Sequence, residues 1–381
     1  MKLAVCLYKF FPFGGLARDF LSIMTICRDH GYEVDVYVME WHGNVPDGFN
    51  IHIVSTRGWT NHGKVDSFIK QITPQLQNNY DLVIGFNKMP GLDLYYAADP
   101  CYLDRVKNQK TYFFDKFGGR LQFYVKCERA VFGAESKTVS LMISDVQRDL
   151  FKKHYATPAE RMIMLPPGID KDRRRPENWN DIRREFRHEF NVSNDEFVIL
   201  MVGTGFKTKG VDRAINGLAT IPQALRDKIK LFVVGEGNAR PYQKLARQLS
   251  VREHVQFFGG RTDIPRFLIG ADLLVHPARK ENTGTVILEA MVAGLPVLVS
   301  DVCGYAKHVT KSDAGLIVPS PFHQQKFSRQ LTEMLQADRL QQWSDKGLEY
   351  AASEDLYSMP EKAAQIIECM AKDNKHAGFA G

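Results

Sequence analysis

A cycle of short apolar run, turn, amphipathic stretch and second apolar run opens this chain and starts again past its middle, and that repetition limits the possible folds more than any other feature. LAVCLY (3–8) leads through a Gly-Gly turn into an amphipathic stretch from Leu16 to His30, which is followed by VDVYVM (34–39). Gly31 stands where a helix C-cap belongs. Similar runs recur at DLVIGF (81–86) and TVSLMISD (138–145). A βαβ alternation of this kind predicts a mostly parallel sheet covered by helices. LPPGIDKDRRRPENW (165–179) is dense in Pro, Gly and charge and reads as a linker. After it the alternation restarts with FVILMVG (197–203), KLFVVG (230–235), VQFFG (255–259), ADLLVHPA (271–278) and LPVLVS (295–300). The expectation is an α/β protein of two Rossmann-like, doubly wound domains facing a central cleft. Ligands of such sheets bind beyond the carboxyl ends of the strands, so chemistry is sought in the loops that follow them.

At 381 residues, with 44% hydrophobic and 25% charged positions, two cores can be filled without low-complexity sequence. No apolar run approaches the roughly 18 residues of a spanning helix. Lys9 interrupts the N-terminal apolar stretch, which favours a buried strand over a signal peptide. Six cysteines without a CxxC pair read as reduced thiols of a cytoplasmic protein.

The densest motif is ENTGTVILE, in which Glu281 and Glu289 flank Gly284, Thr285 and Val286. With a helix beginning near Thr283, Glu281 lies in the loop before it and Glu289 about two turns inside. The free amides of residues 284–286 then form an anion site at the helix N-terminus. Such an element can hold a sugar hydroxyl with Glu281, a diphosphate with amides and ribose hydroxyls with Glu289. The competing reading is an ordinary helix with a surface glutamate. The small-residue helix and buried strand that follow argue against it, and the motif resembles the Glu-x7-Glu element of the retaining GT-B glycosyltransferases of family four.

Gly14 and Gly15 follow the first strand, where glycine permits close approach of backbone to pyrophosphate. Asp19, one turn on, is a candidate acceptor of sugar or acceptor hydroxyl protons, or simply an acid at a helix start. GTGFKTKGVDRAI (203–215) places Lys207 and Lys209 in a Gly-rich loop, where they can neutralise charge on a departing diphosphate. Arg173 is a further candidate for the diphosphate, and Arg261 in the GGRTDI turn for the nucleobase. Asn282 and Thr283 are candidates for choosing the donor sugar. Asp170-Lys171-Asp172 matches an Asp-x-Asp metal signature but falls in the linker, so no metal and no cofactor are expected.

Residues 102–132 carry seven Lys or Arg against three acids, in a chain of formal net charge +6, with aromatic residues interleaved. Basic and aromatic residues together suit an anionic lipid surface. An amphipathic helical pair with aromatics in the core is the alternative. Single-stranded nucleic acid could use the same residues, but nothing else in the chain suggests nucleic-acid recognition.

LYKFFPFGGLARDF, GFNKMPGLDLYYAAD (85–99), LPPGI, GVDRAI, HPARKENTG, VCGYAKHV and DLYSMPEKAA together closely resemble the lipopolysaccharide core glucosyltransferase I family, essentially end to end. The resemblance implies metal-independent transfer of an α-linked hexose, glucose first, from a UDP-sugar to an inner-core heptose on a lipid-A-linked acceptor. It places the enzyme on the cytoplasmic face of the inner membrane, attached through residues 102–132. It puts Asn87, Lys88 and Asp99 near the acceptor. It also implies that a final helix at about 359–373 joins residues 1–167 as the acceptor and membrane-facing domain, leaving 168–358 to bind the nucleotide sugar. UDP-galactose and UDP-N-acetylgalactosamine remain open as donors, as does a different lipid-linked acceptor. Rival classes fit less well: a nicotinamide oxidoreductase would require GxGxxG, a phosphorylase a longer chain, and a membrane-binding relic would have no use for the glutamates and Lys209.

Overall fold

The computed structural model describes residues 1–12, 14–77, 79–107 and 118–379, with side chains through residue 374. The chain divides into two compact units, Met1–Gly168 with Ser358–Gly381, and Ile169–Tyr357.

In the first unit the strands are β1 (Lys2–Cys6), β2 (Lys9–Phe10), β3 (Glu33–Val38), β4 (Glu40–Trp41), β5 (Phe49–Ile53), β6 (Leu82–Gly85), β7 (Leu94–Ala97), β8 (Val139–Met142) and β9 (Met162–Met164). Seven of them form one sheet in the order β5-β3-β1-β6-β7-β8-β9, and β2 pairs with β4 apart from it. Every pairing in the large sheet is parallel; Val5, for example, sits level with Val36 on one side and Ile84 on the other. Parallel sheets bury both faces, which is why β1 is apolar without alternation. Leu3 and Val5 face Phe20, Ile23 and Met24 of helix Gly15–Asp29 and Ala363 and Ile367 of helix Met359–Phe379. Ala4 and Cys6 face Val65, Phe68 and Ile72 of helix Asn61–Leu76, with Val131, Phe132 and Phe151 in the same layer. The C-terminal helix therefore completes the core of the first unit, packed against elements from the start of the chain.

The second unit holds β10 (Phe197–Val202), β11 (Ile229–Val234), β12 (Val255–Gly259), β13 (Leu273–His276), β14 (Val297–Ser300) and β15 (Gly315–Val318), ordered β12-β11-β10-β13-β14-β15 and parallel throughout. Val198 and Leu200 pack against Phe186, Phe267 and Ile287, while Ile199 and Met201 pack against Ile215, Leu218 and Phe327. Both sheets follow the doubly wound strand order, in which the chain reverses direction across the sheet beside the first strand. The reversal falls between β1 and β6 in one unit and between β10 and β13 in the other, and the loops leaving these strands diverge to open a crevice. Among the described residues no helix is long and apolar enough to cross a membrane.

Candidate active site

In the second unit, Lys209 and Glu281 come from the two loops at the reversal, 203–210 after β10 and 277–284 after β13. Side chains and backbone bind these loops to each other. Arg213 donates from Nη1 to the carbonyls of Pro277 (3.1 Å) and Ala278 (2.9 Å). Arg279 grips Asp212 with both terminal nitrogens (2.7 and 2.6 Å), and its backbone N–H donates to Thr208 (2.8 Å). Gly210, at φ +77°, permits the approach: a Cβ there would stand 2.1 Å from the Pro277 carbonyl oxygen. The pairing of these positions is invisible in the sequence, because a loop-to-loop contact leaves no periodicity to read.

The result is an ion pair between Lys209 Nζ and Glu281 Oε2. The same oxygen accepts a bond from His276 Nε2 at 3.0 Å. With Glu281 ionised, Nε2 carries the proton and donates. His276 is the last residue of β13 and is fully buried; its position five residues before Glu281 in HPARKE was the only signal for it. Burial pushes the Glu281 carboxyl up, but the His276 hydrogen bond and the Lys209 charge outweigh it and hold the group at about 2, below the ordinary 4.5. Glu281 is thus a permanent anion at neutral pH, an acceptor of hydroxyl protons and not a proton donor.

A depressed folded-state pKa makes the contribution of this group complete above about 4.5 and lost as pH falls towards about 2. In acid-unfolding experiments the wild type is therefore expected to lose stability more steeply through that window than Glu281→Gln; parallel curves would contradict the ion-pair account.

The helix after Glu281 runs Thr285–Val292, with Gly284 at φ +82° as its N-cap. It starts later than the motif suggested, so Glu289 lies little more than one turn inside and is 5% exposed, not a surface residue. Arg173 Nε approaches Glu289 Oε1 at 3.8 Å, and Arg173 also pairs with Asp172 at 3.2 Å. At the helix start the Ile287 N–H donates to the Gly284 carbonyl (2.9 Å), and the Thr285 and Val286 N–H groups before it have no acceptor within the helix. The Thr283 carbonyl accepts from the Tyr305 N–H (2.8 Å), which fixes the loop carrying Asn282 and Thr283. Lys207 is exposed, its carbonyl held by Arg279 Nη1 at 3.1 Å. Arg261 is clamped by Asp263 within its own turn (2.8 and 2.7 Å), so the structure does not bring it to the Lys209–Glu281 pair.

The first unit places its candidates at its own reversal point. Asp19 accepts from Tyr96 Oη at 2.8 Å and lies 3.6 Å from Arg18 Nε. Gly14 and Gly15 open the helix that carries Asp19; a Cβ on Gly15 would meet no atom within 4 Å, so protein packing is not what calls for glycine there. Asn87 Oδ1 accepts from the Tyr8 N–H (2.7 Å), tying the loop after β6 to the loop after β1, and its Nδ2 donates to Asp99 Oδ2 at 3.4 Å. Lys88 is turned into the protein. Its ammonium donates to the Pro100 carbonyl (2.7 Å) and to Glu128 (2.6 Å), a carboxylate with no exposed surface. Burial alone would push the Glu128 carboxyl up, but Lys88 and the Tyr102 and Leu103 N–H groups hold it below the usual range. Its place in the basic stretch gave no hint of this role.

Within 102–132, residues 108–117 lie outside the described residues. Arg105, Lys107, Arg120, Lys126 and Arg129 are exposed, whereas Phe132 is fully buried and stacks on Phe151 at 3.5 Å between ring centroids. That aromatic ring belongs to the core.

Two parallel 3-2-1-4-5-6-type sheets, each with polar and charged side chains gathered where the strand order reverses, are the two halves of a GT-B transferase. The Glycosyl transferases group 1 family matches residues 182–349, which include both reversal-point loops of the second unit. The chain belongs to this family and is a glycosyltransferase. It is similar over 369 residues, at 42% identity, to lipopolysaccharide glucosyltransferase WaaG of Escherichia coli K12, covering 96% of this chain and 98% of that protein. A crystal structure of WaaG superimposes with a TM-score of 0.92, at 41% identity, over 96% of this chain and 99% of that one. Anabaena HepE, solved in complex with UDP-glucose, shares the fold at a TM-score of 0.74 and 17% identity, over 97% of this chain and all of its own.

Proposed function

We propose that this enzyme transfers glucose from UDP-glucose to a heptose of the lipopolysaccharide inner core, with retention of the anomeric configuration. The observation that carries the reading is the end-to-end similarity to a lipopolysaccharide glucosyltransferase, and the Lys209–Glu281–His276 cluster supplies chemistry suited to it.

Glu281 accepts a hydroxyl of the donor hexose, and its fixed charge excludes a role as general acid. Lys209 has three N–H donors; one serves Glu281, and the others meet the diphosphate as negative charge builds on it. The opening amides of the helix at Thr285 add to that stabilisation, and Glu289, steadied by Arg173, takes the ribose hydroxyls. Oε2 of Glu281 is already engaged twice, which favours front-face displacement over a covalent glycosyl-enzyme. In that step the C1–O bond to the diphosphate breaks, the acceptor oxygen bonds C1 from the same side, and its proton passes to the departing phosphate oxygen. Asn282 and Thr283 set donor choice. Gly14 and Gly15 make room for the diphosphate, and Asp19 meets hydroxyls beside them. Asn87 and Asp99 line the acceptor region, with Lys88 holding its wall. No metal or other cofactor takes part.

The acceptor is lipid-linked, and the exposed cations of 102–132 attach the enzyme to the anionic cytoplasmic face of the inner membrane, at about 1 kcal/mol per basic residue near the surface. The test supplies heptose-terminated lipopolysaccharide with UDP-glucose, UDP-galactose or UDP-N-acetylgalactosamine, with and without chelator. UDP release is expected with UDP-glucose, undiminished by chelator. Preference for either other donor would overturn the donor assignment, and loss of activity with chelator would overturn metal independence.

A further inference from the structure

The first unit contains a cavity of about 260 Å³ bordered by Tyr8, Asn87, Asp99, Arg105, Arg120 and Tyr124. It exceeds the ~150 Å³ that accommodates a benzene ring, which leaves room for a substituted pyranose. Among the described residues its charges do not balance. Lys88, also on the wall, is neutralised by buried Glu128. Asp99 remains as one carboxylate against the two guanidiniums of Arg105 and Arg120. Among the described residues neither arginine is paired with a carboxylate. Arg105 instead lies over the Tyr102 ring at 4.8 Å, and Tyr102 packs on Tyr124 at 5.2 Å, which brings the cation to the cavity's aromatic wall. Burial pushes the Tyr124 hydroxyl up, and the charges of Arg120 and Arg105 oppose that shift without reversing it.

We propose that this cavity binds an anionic sugar residue of the acceptor: Asn87, Asp99 and the tyrosines take its hydroxyls, and Arg105 with Arg120 takes its phosphate or carboxylate. Guanidinium forks match both anions in bidentate geometry. The inference rests on the acceptor being a charged glycan, as in the proposed function. It adds that the enzyme reads a charged neighbour of the accepting sugar as well as the accepting sugar itself. It also gives Arg105 and Arg120 a specific glycan task beside the lipid attraction they share with the other exposed cations of 102–132.

Calorimetric titration of the full chain, without lipid, with a heptose disaccharide that is neutral, phosphorylated or linked to a carboxylate-bearing sugar tests this. The wild type is expected to bind at least one anionic form about tenfold or more tightly than the neutral one, the scale of one charge-assisted hydrogen bond; the form preferred identifies the anion. The double variant Arg105→Gln/Arg120→Gln is expected to bring that ratio close to one. Both side chains are exposed, so its melting temperature and UDP affinity should match the wild type. Equal binding of charged and neutral disaccharides by the wild type overturns the proposal. So does a double variant that keeps the preference while losing attachment to phosphatidylglycerol vesicles, since the arginines would then serve lipid headgroups. Preference for the charged disaccharide in a protein that transfers no hexose would sustain the site and defeat the proposed reaction.

Discussion

Lys209→Ala is expected to lower kcat for hexose transfer by about 10² to 10³, the usual cost of removing one preorganised group from a site where charge develops. Two losses combine. The departing diphosphate forfeits an ammonium, and Glu281 keeps only His276 of its two partners. The fold should survive, because Lys209 ends a short turn (Phe206–Lys209) on an accessible loop and its side chain is 21% exposed. Since Lys209 is one of the groups that depress the Glu281 carboxyl, its removal also raises that pKa, so residual activity should fall away at a higher pH on the acid side than in the wild type. Steady-state kinetics with saturating acceptor across pH decide the matter. A kcat near wild type would remove Lys209 from the chemistry. Lys207→Ala, on an exposed side chain of the same turn, should cost much less.

Lys88→Ala is expected to act on stability. Glu128 has no exposed surface and is held by the Lys88 ammonium, the Tyr102 and Leu103 N–H groups (2.8 and 3.0 Å) and Tyr155 Oη (2.7 Å). Removing the only cation paired with it among the described residues leaves a buried carboxylate uncompensated, a loss of about 3–5 kcal/mol. The double variant Lys88→Ala/Glu128→Gln should recover a substantial part of it, because the charge is then gone while polar partners remain. Denaturant midpoints of the three proteins test this, and a single variant within about 0.5 kcal/mol of wild type, the range of ordinary surface substitutions, would contradict it. Such an outcome would return Lys88 to the list of residues available to the acceptor.

Much of the architecture was legible because parallel strands buried on both faces are apolar throughout. LAVCLY and FVILMVG could not pass for surface segments, and each became the first strand of a sheet. Shorter or marginal strands were not visible. β5 (Phe49–Ile53) lies at a sheet edge with only Phe49 buried, β9 spans Met162–Met164, and β7 (Leu94–Ala97) is four residues inside a segment read for its polar groups. β15 (Gly315–Val318) follows a left-handed Asp313, where no pattern marks a start. In the site, a spacing of seven pointed to Glu281 and Glu289 because both sit on one local element. What Glu281 touches depends on the second loop, and neither His276 nor the Arg213 and Arg279 stitching could be read before the two strands were placed side by side. The pairing of Arg261 with Asp263, two positions away, is likewise a contact that no motif announced. Lys88 and Glu128 are 40 residues apart, and only their shared burial reveals that they are partners.

The most direct test of the central claim is the structure of the product. Purified enzyme, UDP-glucose and heptose-terminated lipopolysaccharide should yield a core oligosaccharide heavier by one hexose. NMR should show the new linkage as α, the configuration of the donor, and Glu281→Ala should give none of it. A β-linked hexose would contradict retention and with it the front-face step. Full product formation by Glu281→Ala would contradict the site itself.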